Sequence, residues 1–254
     1  MKHLNKSIFN LIKSDKMVDF VRAIKRPFTD FKKLIIVSVL NIFPIINFFS
    51  VGYSLKCAKT AMKKDFKLPE LSEWGNLWVK GLFYFILIQI YLLPATAFYM
   101  YQLGFSSYLN LVLGSGSEEA IKLFGKIGLS NIIIYFSIVI LIWYLIPMAV
   151  MNFIDKNNFW QAFNLKVVLR KAFTWKYFLA NVFLFIYAFL AIAAFILFIT
   201  AIFVLISLFV RLSLFAILIV WPLVLIIIVL LLIISTALII TYMTVFGEVY
   251  SELK

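Results

Sequence analysis

The sequence has one cysteine, Cys57, and one histidine, His3, in 254 residues. A single cysteine excludes an intramolecular disulfide, and the pair is too few for a His/Cys metal cluster within one chain. No cofactor is expected. Charge is scarce as well: 14% of residues are charged, where a soluble domain has about 25%. All eleven acidic residues lie outside the confident apolar runs, which disfavours a proton- or cation-coupled pump with an acid in its bundle. Coordination by backbone carbonyls at a broken helix stays open. No Walker A loop, dinucleotide glycine motif, HExxH or nucleophile elbow occurs, so enzymatic activity is not expected. Basic residues from Lys2 to Arg26 interrupt the N-terminus, and no apolar h-region precedes Leu34, so a cleavable signal peptide is not expected.

What is abundant is apolar: 65% of residues are hydrophobic and 28 are Phe. This composition predicts an all-α, polytopic, helical integral membrane protein. The net charge of +13 matches the footprint of nucleic-acid binding, but the basic residues flank apolar runs. That placement points to anionic lipid headgroups as partners and not to nucleic acid.

Along the chain, residues 1–33 read as basic amphipathic helices. Leu4, Ile8, Leu11 and Ile12 form one stripe, and Met17, Phe20, Val21, Ile24, Phe28 and Phe31 continue it after a cap at Ser14. Such helices lie in the headgroup plane or pack on the protein's own loops. Pro27 is expected to break the helix. Residues 34–254 read as a single helical membrane domain. Its first run, 34–55, is long enough to span, at about 33 Å against a core of about 30 Å. Asn41, Pro44 and Asn47 interrupt its middle, and a re-entrant hairpin of two half-helices would use them better than a straight helix. Residues 56–79 are polar and basic, with Trp74 and Trp78 one turn apart as interfacial residues. Spans are expected over 80–101, 131–151, 177–203 and 222–246, with a short interfacial helix over 117–128 and a break at Trp221-Pro222. The expectation is four full spans plus a re-entrant hairpin, with five or six spans as the alternative.

Charge distinguishes these. With 34–55 re-entrant, 21 of the 24 lysines and arginines fall on one side, taken as cytoplasmic together with both termini. With 34–55 spanning, the clusters divide across the membrane. In the hairpin arrangement Cys57 is cytoplasmic and labelled only from that face.

The candidate mid-membrane polar and hinge residues are Asn41, Pro44, Asn47 and Gln89. The candidate anionic-lipid contacts are Arg22, Arg26, Arg170, Lys171 and Arg211. Gln89 and Asn181 can bond between helices or line a pore. Arg211 can bind an anion or snorkel to the interface. Glu70 and Glu73 read as a solvated helix start rather than an acid/base pair.

Several motifs form an ordered set: Pro44-Ile-Ile-Asn47, Gly52-Tyr53, Leu68-Pro69-Glu70, Trp74-Gly75, Gly81, Tyr91 and Pro94. Pro147, Ala162-Phe163 and Gly247-Glu-Val-Tyr250 follow. In this order they resemble a family of archaeal and bacterial membrane proteins known as domain of unknown function 4013. Leu71-Ser-Glu before Trp74 is a small departure. The resemblance implies a prokaryotic, archaeal cytoplasmic membrane and assigns no activity. The function expected is non-enzymatic organisation of lipid or protein. The alternative is a small-solute transporter or channel using the broken hairpin.

Overall fold

The computed structural model describes residues 18–104, 128–210 and 216–253. Among these, all regular structure is helical. The elements are α1 (Phe20–Lys25), a 3-10 turn (Arg26–Thr29), α2 (Phe31–Leu40), α3 (Asn47–Met62) and α4 (Trp74–Leu103). Then come α5 (Leu129–Lys156), a second 3-10 turn (Phe159–Phe163), α6 (Leu165–Ala172), α7 (Trp175–Val210) and α8 (Ala216–Glu252). Four helices are long and apolar enough to cross a membrane: Trp74–Gln102, Leu129–Lys156, Trp175–Val204 and Pro222–Glu252. These are the four expected spans, extended by up to about two turns at their polar ends. The expected helices over 1–17 and 117–127, and Arg211, lie outside the described residues.

Local chemistry sets the element boundaries. Asp19 caps α1 by accepting from the Arg22 N–H at 3.0 Å. Pro27 stands in the first 3-10 turn, as expected of a residue that cannot continue a helix. Asp30 then caps α2 through the Lys33 N–H. The apolar run therefore begins as a helix at Phe31, within the segment read as amphipathic. Residues 41–46 form a turn, and α3 starts at Asn47. Pro222 lies inside α8 and does not end a helix, so the expected break at Trp221-Pro222 is absent. Pro222 is the seventh residue of α8, so the helix runs through it at the loss of one backbone bond, to the Leu218 carbonyl.

The described chain forms two compact units, Met1–Gly81 with Phe173–Lys254, and Leu82–Ala172. In the first, α3 is central. A Cβ on Gly52 would overlap the Leu77 carbonyl, and one on Gly81 would overlap the Phe48 carbonyl. The start of α4 thus crosses α3 backbone to backbone. Phe48 and Phe49 flank the crossing with edge-on contacts to Trp78 and Trp74, at 5.8 and 5.6 Å. Gly247 meets the Ala58 carbonyl in the same way, bringing α8 onto α3. Small residues that permit such approach drive helix association where lipid offers no hydrophobic gain. Leu34, Val37, Tyr53, Cys57, Ala237 and Ile240 fill the core among α2, α3 and α8.

Cys57 is fully buried, and burial pushes its thiol up to about 12. The neutral, enclosed thiol cannot report sidedness by labelling, contrary to the expectation from sequence.

In the second unit, aromatic rings do the packing. Phe83, Phe153 and Phe159 form a cluster with centroids 5.2–6.3 Å apart. Tyr91 stacks on Phe163 at 5.7 Å.

Candidate functional site

The connector between α3 and α4 has little backbone pairing of its own, so its carbonyls need other donors. Four consecutive carbonyls receive them. Lys67 O accepts from Arg26 Nη2 at 2.9 Å, and Leu68 O from Lys33 Nζ at 3.4 Å. Pro69 O accepts from the Tyr53 hydroxyl at 3.0 Å, and Glu70 O from Lys56 Nζ at 2.9 Å. The Glu70 carboxylate pairs with Lys33 at 2.9 Å. Glu70 is solvated, as expected, at 81% side-chain exposure, and it also pairs with the start of α2. Lys33 begins α2 and Lys56 lies toward the end of α3. Both reach Glu70, so the two basic ends of the hairpin share one end of the unit.

Arg26 is the deepest charged member of this array, at 1% exposure. Its Nη1 donates to the Cys57 carbonyl at 2.8 Å and to the Thr244 hydroxyl at 3.0 Å. Its Nη2 also donates to the Thr60 hydroxyl. One side chain thereby joins the 3-10 turn, α3, the connector and α8. Nε is buried without a partner, and no carboxylate lies within ion-pair distance among the described residues. Burial lowers the guanidinium pKa, but arginine stays charged in proteins. Arg26 was expected at an anionic-lipid surface. The structure buries the side chain and engages it in four hydrogen bonds inside the protein, and it also leaves Arg26 on the wall of a cleft.

Beside Arg26 opens a cleft of about 560 Å³. Arg22, Lys25, Lys64 and Lys67 line it with Arg26, against the carboxylates of Asp19 and Asp65. Arg22 pairs with Asp19 at 3.4 Å and lies over the Phe66 ring at 5.2 Å. Lys64 has φ +61°, a left-handed conformation that reverses the chain after α3. Asp65 then accepts from the Lys67 N–H at 3.0 Å. Arg22, Lys25, Lys64 and Lys67 are exposed. Sequence reasoning named Arg22 but missed Lys25, Lys64 and Lys67 as one group. Their separation of about 40 residues hides the grouping, and only the polar turn after Met62 signals a chain reversal there.

The hinge residues have mixed fates. Asn41 Nδ2 donates to the Thr236 hydroxyl of α8 at 2.7 Å, so it ties the hairpin turn to a spanning helix. Asn47 Oδ1 is buried without a partner. Pro44 is exposed in the turn, between exposed Phe43 and Ile45. Gln89 is exposed on α4 and makes no side-chain hydrogen bond among the described residues. Asn181 Nδ2 bonds the Tyr177 carbonyl of its own helix, not a neighbouring one. Arg170 is exposed, whereas Lys171 is 6% exposed and interacts within the protein. Lys171 is therefore not a free surface contact. The structure brings Arg22 and Arg26 to one cleft.

Four apolar helices of spanning length, with a strapped two-helix hairpin packed on the last of them, define a multi-pass helical membrane protein. The chain belongs to the family described as protein of unknown function (DUF4013), whose model matches residues 35–200. No curated protein and no solved structure matches it.

The matched region contains the glycines at the α3–α4 crossing and the carbonyl-strapped connector. Gly247, on the other side of α3, lies beyond it. No group of three or more His, Cys, Asp or Glu suited to a metal occurs among the described residues.

Proposed function

We propose that this chain is a non-enzymatic protein of the cytoplasmic membrane that organises lipid, with α2–α3 as a re-entrant hairpin and both termini on the cytoplasmic side. The observation that carries this reading is the hairpin itself. Ile42, Phe43, Ile45 and Ile46 at its tip are exposed and apolar, while Lys33 and Lys56 gather at its opposite end. An apolar tip suits acyl chains, and gathered lysines suit the anionic headgroups of the cytoplasmic leaflet. The positive-inside count favours the same arrangement.

Two measurements test it. In a Cys57→Ala background, Lys32→Cys and Lys63→Cys should both react with an impermeant thiol reagent from the cytoplasmic face only. Ile45→Cys, carrying a fluorophore, should be quenched by lipids bearing a quencher deep in the acyl region. Labelling of Lys32→Cys and Lys63→Cys from opposite faces would mean that the segment spans. In liposomes, labelled anionic lipid should be enriched around the protein relative to labelled neutral lipid, and equal distribution would end the lipid-organising reading.

A second reading, passage of a small solute, draws on the unpartnered Asn47 Oδ1 at a helix break. It requires solute flux in wild-type liposomes that is lost in a folded Asn41→Leu/Asn47→Leu variant.

A further inference from the structure

We infer that the cleft between α1 and the turn after α3 binds the phosphate of an anionic lipid headgroup. The inference rests on the lipid-organising reading and assigns that reading a specific site. Three features support it. The first is charge: among the described lining residues Arg22, Lys25, Arg26, Lys64 and Lys67 outnumber Asp19 and Asp65, and the neighbouring Glu248 carboxylate accepts from the Asp19 N–H at 3.4 Å. Asp19 is already paired with Arg22, and Asp65 is bonded to the Lys67 backbone. The lysine ammonium groups supply several donors for a ligand with several acceptor oxygens.

The second feature is the buried guanidinium. Arg26 makes four hydrogen bonds to neutral acceptors and meets no carboxylate among the described residues. A buried charge left uncompensated is costly. Low-dielectric walls also project its field toward the nearest opening. Arg26 lines the cleft, so that opening is where an anion gains most. Nε is the nitrogen of this side chain still without an acceptor.

The third feature distinguishes a lipid from a free anion. Val21, which lines the cleft, is 62% exposed. Phe28 and Phe31, on the following turns, are 53% and 55% exposed. A soluble phosphate needs no apolar residues beside its site, whereas a lipid brings acyl chains that would cover them.

The test uses the full chain in detergent micelles, with three probes: dioleoyl phosphatidic acid, dioleoylglycerol and inorganic phosphate. Binding is read by native mass spectrometry and by the shift in Tm. Phosphatidic acid should be retained and should raise Tm, while dioleoylglycerol should do neither. A Lys25→Gln/Lys64→Gln/Lys67→Gln variant changes only exposed side chains and leaves the Arg26 bonds in place. It should bind phosphatidic acid about a hundredfold more weakly, at about fivefold for each lysine. Equal retention by wild type and variant overturns the site, as does equal retention of dioleoylglycerol. A Tm shift with inorganic phosphate as large as that with phosphatidic acid overturns the lipid source. If the variant binds phosphatidic acid like wild type while both still enrich anionic lipid in liposomes, the cleft falls and the lipid-organising reading stands.

Discussion

The two units solve one problem with different chemistry. Each contains a polar connector whose carbonyls must find donors. In the first, Arg26, Lys33 and Lys56 donate to carbonyls of residues 67–70, helped by Tyr53. In the second, three neutral side chains donate. Asn152 Nδ2 reaches Gln161 O at 2.6 Å, and the Tyr91 hydroxyl reaches Ala162 O at 2.6 Å. The Tyr144 hydroxyl reaches Ala172 O at 2.8 Å. Charged donors give stronger bonds and also leave a field behind. Neutral donors hold the connector without one. One strapping side chain, Arg26, also lines the basic cleft and supplies part of its potential. The helices differ in parallel, touching at glycine and carbonyl in the first unit and through rings in the second.

The largest effect should come from the glycine crossings. Gly81→Leu places a branched side chain where a single Cβ already overlaps the Phe48 carbonyl. Backbone cannot move aside as a side-chain end can, so we expect failure to fold in detergent. Gly81→Ala should cost about 1–3 kcal/mol. Gly75→Leu is the control, since its Cβ would meet nothing within 4 Å. Thermal unfolding by size-exclusion fluorescence reads all three. Equal behaviour of Gly81→Leu and Gly75→Leu would remove the backbone contact from the account.

Next comes Arg26→Met, which keeps the apolar stem and removes four hydrogen bonds. The Cys57 and Lys67 carbonyls then lose a charged donor, while the desolvation cost of the charge disappears. The balance should be a loss on the order of 3 kcal/mol. Arg26→Lys should recover only part of it, because one ammonium cannot reproduce the planar fork. Full recovery by lysine would show that charge alone is needed.

The sequence made the spans legible because about 20 apolar residues in a row have few other fates. It also made the interruption at residues 41–46 legible, through Pro44 and two asparagines. It could not separate basic residues that turn into the fold from those that stay at its surface. Arg22 and Arg26 lie four residues apart with the same chemistry, yet one is exposed and the other nearly inaccessible. Arg170 and Lys171 are adjacent and divide the same way. Which residue turns inward depends on α3, α8 and the connector, which are distant in sequence. The glycines were visible as motif members, but no GxxxG spacing marked a contact. Each contact instead pairs a lone glycine with a carbonyl on another helix, a pattern without a local signature.

The neutral connector should respond less than the charged one. Tyr91→Phe removes a 2.6 Å bond and leaves Ala162 O without that donor inside a buried pair. We expect a loss of about 1–2 kcal/mol, unchanged between low and high salt, as measured by thermal unfolding. A loss that shrinks in salt would mean that the tyrosine acts through charge, which the comparison denies it.

The smallest effect is also the one that separates the units by pH. Lys33 pairs with Glu70 at 2.9 Å and with Asp30 at 3.4 Å. The hydrogen bond that the Lys33 ammonium donates to Glu70, with a lesser one to Asp30, raises it above its ordinary value. The Lys33 backbone N–H holds the Asp30 carboxyl below the usual carboxylate range. A depressed carboxyl stabilises fully above its unfolded value, near about 4, and loses this as pH falls through the lower folded value. A raised lysine stabilises fully below its unfolded value, near about 10.4, and loses this as pH rises through the higher folded value. The difference in Tm between wild type and Lys33→Gln should therefore be flat between about pH 5 and 9, shrink above that window, and shrink less below it, because the variant keeps the backbone N–H that chiefly holds Asp30. Both carboxylates are exposed enough for salt to reduce it. Tyr91→Phe should show no comparable narrowing at acid pH. A Lys33→Gln difference that persisted unchanged to about pH 3 would mean that lysine holds the connector through the Leu68 carbonyl alone, and the charged connector would then resemble the neutral one.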